Sequence, residues 1–318
     1  MKTRLLALAA AAIAALAAPP SAGADDLVKL TIGQRGNWDT SIAQLGSRAG
    51  IFKKHGIELE MVYTSGSGET LQPVIGGAVD AGLAVGTLGA LGAYAKGAPV
   101  RIIAAQATGA ADYWYAKASS PITKLTDLTD TNTIAYSTNG SSTNSVVRAF
   151  IDEFKLKVKT MATGNPSATL TAVMTGQVDV GWSAPPFGLK EIDDGKTRLI
   201  ARATDAALVR GQTIRVIAVN AGVLLKRKEV LGRFMTAYRE TIAYMYSDDP
   251  RVIQDYGEFA GVSEAMARRV RDDFFPSSLV NPDEIHGLDS LMAEAVTLKF
   301  IPAPLTKEQV AELVQIQK

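Results

Sequence analysis

The stretch GAVDAG at residues 77–82 recurs 99 residues later as GQVDVG at residues 176–181. The match extends upstream without a gap, because Thr70-Leu71 lies over Thr169-Leu170. Each copy predicts a helix, a glycine turn and a short strand that begins at the aspartate. The repeat therefore indicates two lobes built on the same β–α plan.

Around both copies, short β-like runs alternate with amphipathic stretches. Strands are predicted at 30–33, 58–63, 81–85, 101–105, 133–136 and 213–219. Helices are predicted at 41–50, from 69, at 88–94 and at 144–154. This alternation indicates parallel strands joined by crossover helices. The chain beyond the last strand reads as helices without strand partners, and we expect it to pack back on the first lobe.

The pattern predicts an α/β, two-lobed fold. Each lobe is expected to hold a mixed, mostly parallel sheet flanked by helices, with two hinge crossings near 108–112 and 204–212. The predicted domains are a signal peptide at 1–24, a discontinuous first lobe at 25–110 plus 208–318, and a second lobe at 111–207.

The N-terminus predicts export. Lys2 and Arg4 precede an apolar run from Leu5 to Ala18, and Ala22-Gly23-Ala24 supplies a small-residue cleavage site. This order is typical of a Sec signal peptide, with a retained anchor as the alternative. We expect a mature protein that is soluble in the periplasm.

The amino-acid composition argues against several classes of function. The chain has 33 basic and 32 acidic residues, which argues against nucleic acid as a partner. It has no cysteine, which excludes disulfides, thiol nucleophiles and a lipoprotein anchor. His55 and His286 have no neighbouring ligand at a metal-binding spacing. We therefore predict a monomer with no catalytic residue, no metal and no cofactor.

Loops rich in glycine and hydroxyl groups follow several predicted strands. In parallel α/β sheets ligands bind beyond the carboxyl ends of strands, where helix N-termini offer free N–H groups. Helix capping is the alternative explanation for each single loop. The predicted ligand-binding residues in these loops are Ser65, Ser67, Gly68, Gly86, Thr87, Ser137, Thr138, Ser141, Ser142, Thr143, Ser183 and Pro185.

Aromatic and basic side chains complete the predicted site. Trp38 and Trp182 lie at strand ends and are expected to stack on an organic group, while Trp114 lies beside the first crossing. Core packing is the alternative for all three. Arg35 is the predicted partner of a carboxylate or sulfonate, with an exposed arginine as the alternative. Arg210 and Arg215 are weaker candidates.

Three blocks resemble the nitrate, sulfonate, taurine and thiamine-precursor family of substrate-binding proteins. AGIFKKHGIELE at 49–60 is similar to that family's G-I-F-K-K signature. AYAKGAPVRIIA at 93–104 is similar to its G-x-P-V-K-I-I-A block. LTDL at 125–128 with TIA at 133–135 matches a third block, although DTN at 130–132 replaces the usual basic turn.

The resemblance implies a type II periplasmic binding fold that closes on one small ligand and docks on an inner-membrane ABC permease with a cytoplasmic ATPase. It assigns ligand contact to Ser65–Gly68, Gly86-Thr87, Ser137–Thr143 and Trp182–Pro186. A small organic anion, such as an alkanesulfonate, a taurine-like compound or a carboxylate, is the first expectation. The alternatives are a neutral heterocycle such as a pyrimidine precursor, a sensor, or an enzyme that reuses the shell.

Overall fold

Two five-stranded mixed sheets, each flanked by helices, organise the chain in a computed structural model that describes residues 25–317. The predicted signal peptide at 1–24 lies outside the described residues. The strands are β1 (Asp26–Gly33), β2 (Ile57–Thr64), β3 (Ala81–Gly86), β4 (Val100–Thr108), β5 (Tyr113–Lys117), β6 (Thr133–Tyr136), β7 (Lys159–Ala162), β8 (Val180–Ser183), β9 (Thr197–Arg202) and β10 (Thr213–Asn220).

Thirteen α-helices connect and cover these strands within the described residues. They are α1 (Ile42–Arg48), α2 (Ile51–Lys54), α3 (Ser67–Ile75), α4 (Thr87–Ala95), α5 (Ser142–Phe154), α6 (Pro166–Thr175), α7 (Leu189–Asp193), α8 (Ala221–Lys226), α9 (Lys228–Met245), α10 (Pro250–Ala260), α11 (Glu264–Phe274), α12 (Leu288–Thr297) and α13 (Lys307–Leu313).

The two sheets share one plan. The first has the order β2-β1-β3-β10-β4 and the second β7-β6-β8-β5-β9, and we call each sheet with its helices the first and the second lobe. In each, three parallel strands are followed by one antiparallel strand, β10 or β5, that the chain adds after crossing from the other lobe. The predicted α/β fold with two mixed sheets is therefore confirmed.

The 99-residue repeat extends to individual hydrogen bonds. The Asp80 carboxylate accepts the N–H of Lys29 at 2.8 Å, and the Asp179 carboxylate accepts the N–H of Thr133 at the same distance. Each aspartate thereby ties the turn in which it lies to the neighbouring strand, β1 or β6. The Thr70 hydroxyl likewise bonds that of Thr64 at 2.6 Å, as Thr169 bonds Thr163.

The sequence prediction missed three strands, all in the second lobe. β7 and β9 carry mixed polar residues and are only partly covered, so neither shows the continuous apolar run of β3. β5 is a buried strand between β8 and β9, and it directly follows the crossing predicted near 108–112, where no strand is predicted from the sequence. The expectation about the C-terminal tail is corrected in one respect, because Val314 forms a parallel bridge with Ile102 of β4.

The C-terminal helices pack on the first lobe. α9 covers α1 and α2, α12 lies on α4, and α13 lies beside β4. No helix of the described residues is long and apolar enough to span a bilayer. The buried faces of these helices enlarge the first lobe's core. The carboxyl end of β3 lies against the second lobe, where Gly86 approaches Gly140 and Ser141.

Candidate ligand-binding site

A cavity between the lobes lies where β1, β3, β6 and β8 end. The lobes are closed over it, and its volume is about 20 Å³, which is room for roughly one water molecule. The first lobe lines it with Gly33, Gln34, Thr40, Gly66, Ser67, Ala84 and Arg215, and the second with Ser137, Ser141, Ser142, Thr143 and Trp182.

The second lobe contributes a helix start and a cluster of hydroxyls. Ser141 caps α5, its hydroxyl accepting the N–H of Asn144 at 3.2 Å. The Thr143 hydroxyl lies 2.9 Å from that of Ser137 and 3.0 Å from that of Ser141. A helix of 13 residues leaves the N–H groups of its first turn without intrahelical partners. This wall therefore favours a negatively charged or strongly accepting group.

Across the cavity from this wall, the first lobe contributes the start of a second helix. Ser67 begins α3, and its hydroxyl accepts the N–H of Gly86 at 2.6 Å. Gln34 has a positive φ of 60°, and its side-chain amide donates to the carbonyl of Ser65. The Thr40 hydroxyl in turn donates to the carbonyl of Gln34. These bonds hold the loops after β1 and β2 in place at the cavity rim.

Trp182 provides the aromatic wall. It lies in β8 and is 1% exposed, and its indole N–H has no hydrogen-bond partner among the described residues. Leaving a buried donor unpaired costs about 1–3 kcal/mol, so such groups in native proteins call for an explanation. A ligand acceptor in the cavity would supply the missing partner.

One residue that lines the cavity, Arg215, belongs to a buried ionic network. Arg215 of β10 contacts Asp39 at 2.8 Å and Asp112 at 2.6 Å, and its Nε donates to the Ser142 hydroxyl at 3.0 Å. Both carboxylate side chains are fully buried, and the Arg215 side chain is 8% exposed. The guanidinium is therefore shared between two carboxylates.

Burial and charge act in opposite directions on this network. Burial raises the pKa of Asp112, which the charge of Arg215 lowers and the charge of Asp39 raises, and the net result is above the ordinary value. Burial lowers the pKa of Arg215, but the two carboxylates outweigh it and raise the pKa above its usual range. Arg215 stays charged, and Asp112 is the group that gains a proton more readily than an exposed aspartate.

Six of the predicted site residues line the cavity together: Ser67, Ser137, Ser141, Ser142, Thr143 and Trp182. Four others lie close to this rim. The N–H of Gly68 lies 3.4 Å from the Thr138 hydroxyl across the lobes, Gly86 donates to Ser67, and the Thr87 hydroxyl donates to the carbonyl of Thr213.

The structure places the other predicted site residues away from the cavity lining. The Trp38 indole donates to the Tyr246 hydroxyl in the first lobe's core, and the Trp114 indole donates to the carbonyl of Ala135. Arg35 lies 4.3 Å from the ring centre of Phe259. The remaining three are Ser65, whose N–H donates to Glu69, Ser183, whose hydroxyl donates to Phe187, and buried Pro185.

Sequence reasoning ranked Arg215 low and missed both of its partners. Asp39 and Asp112 lie 176 and 103 positions away from Arg215 in the chain, so no local spacing connects the three. One signal was available, because Arg215 interrupts the otherwise apolar strand TIRVIAVN. A charge inside a buried strand needs buried partners.

The other titratable groups lie outside the cavity. His55 contacts Glu240 at 2.8 Å and His286 contacts Glu284 at 3.2 Å, both in the first lobe. Among residues 25–317 there is no group of three or more His, Cys, Asp or Glu side chains that could hold a metal ion.

Comparisons with solved structures define the class of fold. The alkanesulfonate-binding protein SsuA of Xanthomonas axonopodis pv. citri, bound to MOPS, has a TM-score of 0.75 at 17% identity and covers 90% of this chain and 98% of its own. The nitrate-binding protein NrtA of Synechocystis has a TM-score of 0.70 at 13% identity, with coverages of 90% and 84%. The CA3427 product of Candida albicans is described as having the generic periplasmic binding protein fold. It has a TM-score of 0.70 at 14% identity and covers 92% of this chain and 97% of its own.

This chain therefore has the periplasmic binding protein fold. The family model described as NMT1/THI5 like matches residues 42–251, and the chain belongs to that family. The search of curated proteins gives no match.

Proposed function

We propose that this protein captures a small organic anion between its lobes in the periplasm and delivers it to an ABC importer. The observation that carries the proposal is a cavity lined by hydrogen-bond donors, in which the α3 and α5 N-termini, six side-chain hydroxyls and an indole without a partner among the described residues converge. Such a set binds an oxyanion without a free side-chain cation. Alkanesulfonate- and nitrate-binding proteins with the same fold support this ligand class.

Capture is favoured over a reaction. The residues that line the described cavity include no His, Lys, Asp or Glu, and a general acid or base needs to reach the substrate directly. We propose that the lobes comprise 25–110 plus 208–318 and 111–207, and that the crossings between them bend when the cavity opens. Opening admits the ligand, and because the closed cavity has room for roughly one water molecule, an organic anion also requires the lining side chains to move when the lobes close again.

A neutral heterocycle is the second candidate. The sharing of Arg215 between two carboxylates leaves no full positive charge for an anion, and the flat face of Trp182 suits an aromatic ring. The N–H groups of such a heterocycle would donate hydrogen bonds to the same cavity hydroxyls.

A thermal-shift screen tests the proposal. Alkanesulfonates, taurine, carboxylates, nitrate and pyrimidines are each added at high concentration, and at 100 times Kd a ligand stabilises by about 2.7 kcal/mol. We expect at least one anion to raise the Tm and the Thr143→Ala variant to lose that shift. Thr171→Ala, an exposed threonine on α6, is the control that keeps it. Stabilisation by pyrimidines alone would replace the proposal with the second candidate, and turnover of any compound would contradict capture.

A further inference from the structure

The buried network of Asp39, Arg215 and Asp112 carries more negative than positive charge. Two carboxylates share one guanidinium, and all three side chains are buried or nearly so. Ser142 is the fourth member, and both it and Arg215 line the proposed anion cavity. An anion that enters this closed space adds a second uncompensated negative charge beside the first, which is costly where water is excluded.

Asp112 is placed to relieve that cost. It lies in the crossing between β4 and β5, and its backbone carbonyl accepts the N–H of Ala203 from the other crossing at 2.9 Å. On its far side lies a second cavity of about 350 Å³ between the crossings, which Asp112 lines. This cavity brings solvent close to Asp112 on the side away from the ligand cavity, but the carboxylate itself is fully buried in the closed structure, so the proton has to arrive before the lobes finish closing.

Burial and the charge of Asp39 favour protonation of Asp112, and Arg215 opposes it. Arg215 and Asp39 face it from the ligand side, and Arg202, Arg210 and Asp273 line the hinge-side cavity. Burial, partly offset by Arg215, raises the pKa of Asp112. Asp39 lies away from the hinge-side cavity. Burial, and then the charge of Asp39, raise the pKa of the hydroxyls of Tyr238, Tyr246 and Tyr256 in the first lobe's core.

We propose that Asp112 is a specificity-determining residue that takes up a proton from solvent when an anion enters the cavity, so that the ligand is captured together with a proton. The charge balances, because one proton on the Asp112 carboxylate offsets one negative charge on the ligand. The inference rests on the proposed capture of an anion. It predicts selection of monoanions over dianions, since a single group supplies the compensation.

Isothermal titration calorimetry tests the proposal with an anion that passes the thermal screen. Bis-tris and imidazole, which differ in ionisation enthalpy, serve as buffers, because sulfonate buffers would compete. We expect uptake of up to about one proton per anion, and an association constant that falls as pH rises from about 5 to about 8. The sign follows because the bound state holds the extra proton. Asp112→Asn, an isostere of the protonated acid, is expected to abolish the uptake and to bind the anion about tenfold more tightly than the wild type at pH 8.

Glu294→Gln is the matched control. Burial, and then the charge of Asp152 on the second lobe, raise the pKa of Glu294 to about 7, so this carboxylate could also take up a proton when the lobes close. It lies on α12, outside the cavity lining, and the variant should keep the wild-type uptake.

Each outcome decides between the two proposals. Anion binding without proton uptake, or uptake lost in Glu294→Gln, overturns the role of Asp112 and leaves the proposed function standing. If no anion binds, both are overturned. If Asp112→Asn fails to fold, the wild type and Glu294→Gln still decide the question, because uptake retained in both supports Asp112 and uptake absent from the wild type rejects it.

Discussion

Two tryptophans that face each other across β5 and β8 have opposite relations to the cavity. Trp114 and Trp182 are paired in the strand register, and both are fully buried. The Trp114 indole has an internal acceptor at 2.9 Å, the carbonyl of Ala135, while that of Trp182 has none among the described residues. The same chemical group thus has an internal partner at one position and, under the proposed function, a ligand as its partner at the other.

Trp182→Phe is expected to weaken ligand binding by about 1–2 kcal/mol, because a hydrogen bond to the ligand is lost while most of the aromatic wall remains. The free energy of unfolding without ligand should change less than the binding energy, since no internal hydrogen bond breaks. Calorimetric titration and urea unfolding measure the two quantities on the same protein.

Trp114→Phe is the control at the paired position. It removes the buried hydrogen bond from the indole to the carbonyl of Ala135, so the protein should lose about 1–3 kcal/mol of stability while its affinity stays near the wild-type value. Equal affinity loss in both variants would show that Trp182 acts only through packing.

At the scale of elements, the two copies of the helix–turn–strand unit resemble each other in packing as well as in sequence. A Cβ added at Gly82 would lie 2.7 Å from the side chain of Val74, and one at Gly181 would lie 2.5 Å from Val173, the equivalent valine. Each glycine lets a helix approach its strand closely, and the approach is tighter in the second lobe, where Tyr115 also crowds the site at 3.0 Å.

Gly181→Ala is therefore expected to destabilise the protein by about 1–3 kcal/mol through overpacking, and Gly82→Ala by less. Urea unfolding provides the measurement. Gly232→Ala is the control, because it lies in the interior of α9 with nothing within 4 Å of the added Cβ, and it should stabilise by up to about 1 kcal/mol. A stabilising Gly181→Ala would contradict the close helix–strand contact.

The parts that the sequence predicts are those whose signals are local. The Asp80 and Asp179 turns, the apolar run of β3 and the hydroxyl loop before α5 each carry their pattern within a few residues. Strand β7 is short and exposed at a sheet edge, so its pattern is weak. The Arg215 network depends on chain crossings between the lobes, and no spacing in the sequence encodes it.

At the scale of the whole molecule, the two lobes meet through backbone as well as side chains. The N–H of Gly89 donates to the carbonyl of Gly140 across the lobes at 3.2 Å. A second contact between the lobes is an ion pair, in which Arg269 of α11 contacts Asp193 of α7 at 2.9 Å. The ion pair is partly exposed and contributes little, so close backbone approach is the more demanding requirement for closure.

Gly86 is where that requirement is strictest. A Cβ there would lie 2.3 Å from the carbonyl oxygen of Gly140 and 2.9 Å from the Cα of Ser141, both on the second lobe. Its φ of −64° and ψ of 131° suit alanine, so Gly86→Ala should fold as the wild type does and fail only to close. We expect at least about tenfold weaker ligand binding, or 1.4 kcal/mol, together with a larger radius of gyration at saturating ligand in small-angle X-ray scattering. Gly89→Ala, with its Cβ 3.3 Å from the same oxygen, should produce a smaller change of both quantities. Wild-type affinity in Gly86→Ala would mean that the ligand-bound state is more open than this closed structure, because only a wider interlobe gap accommodates the added methyl group.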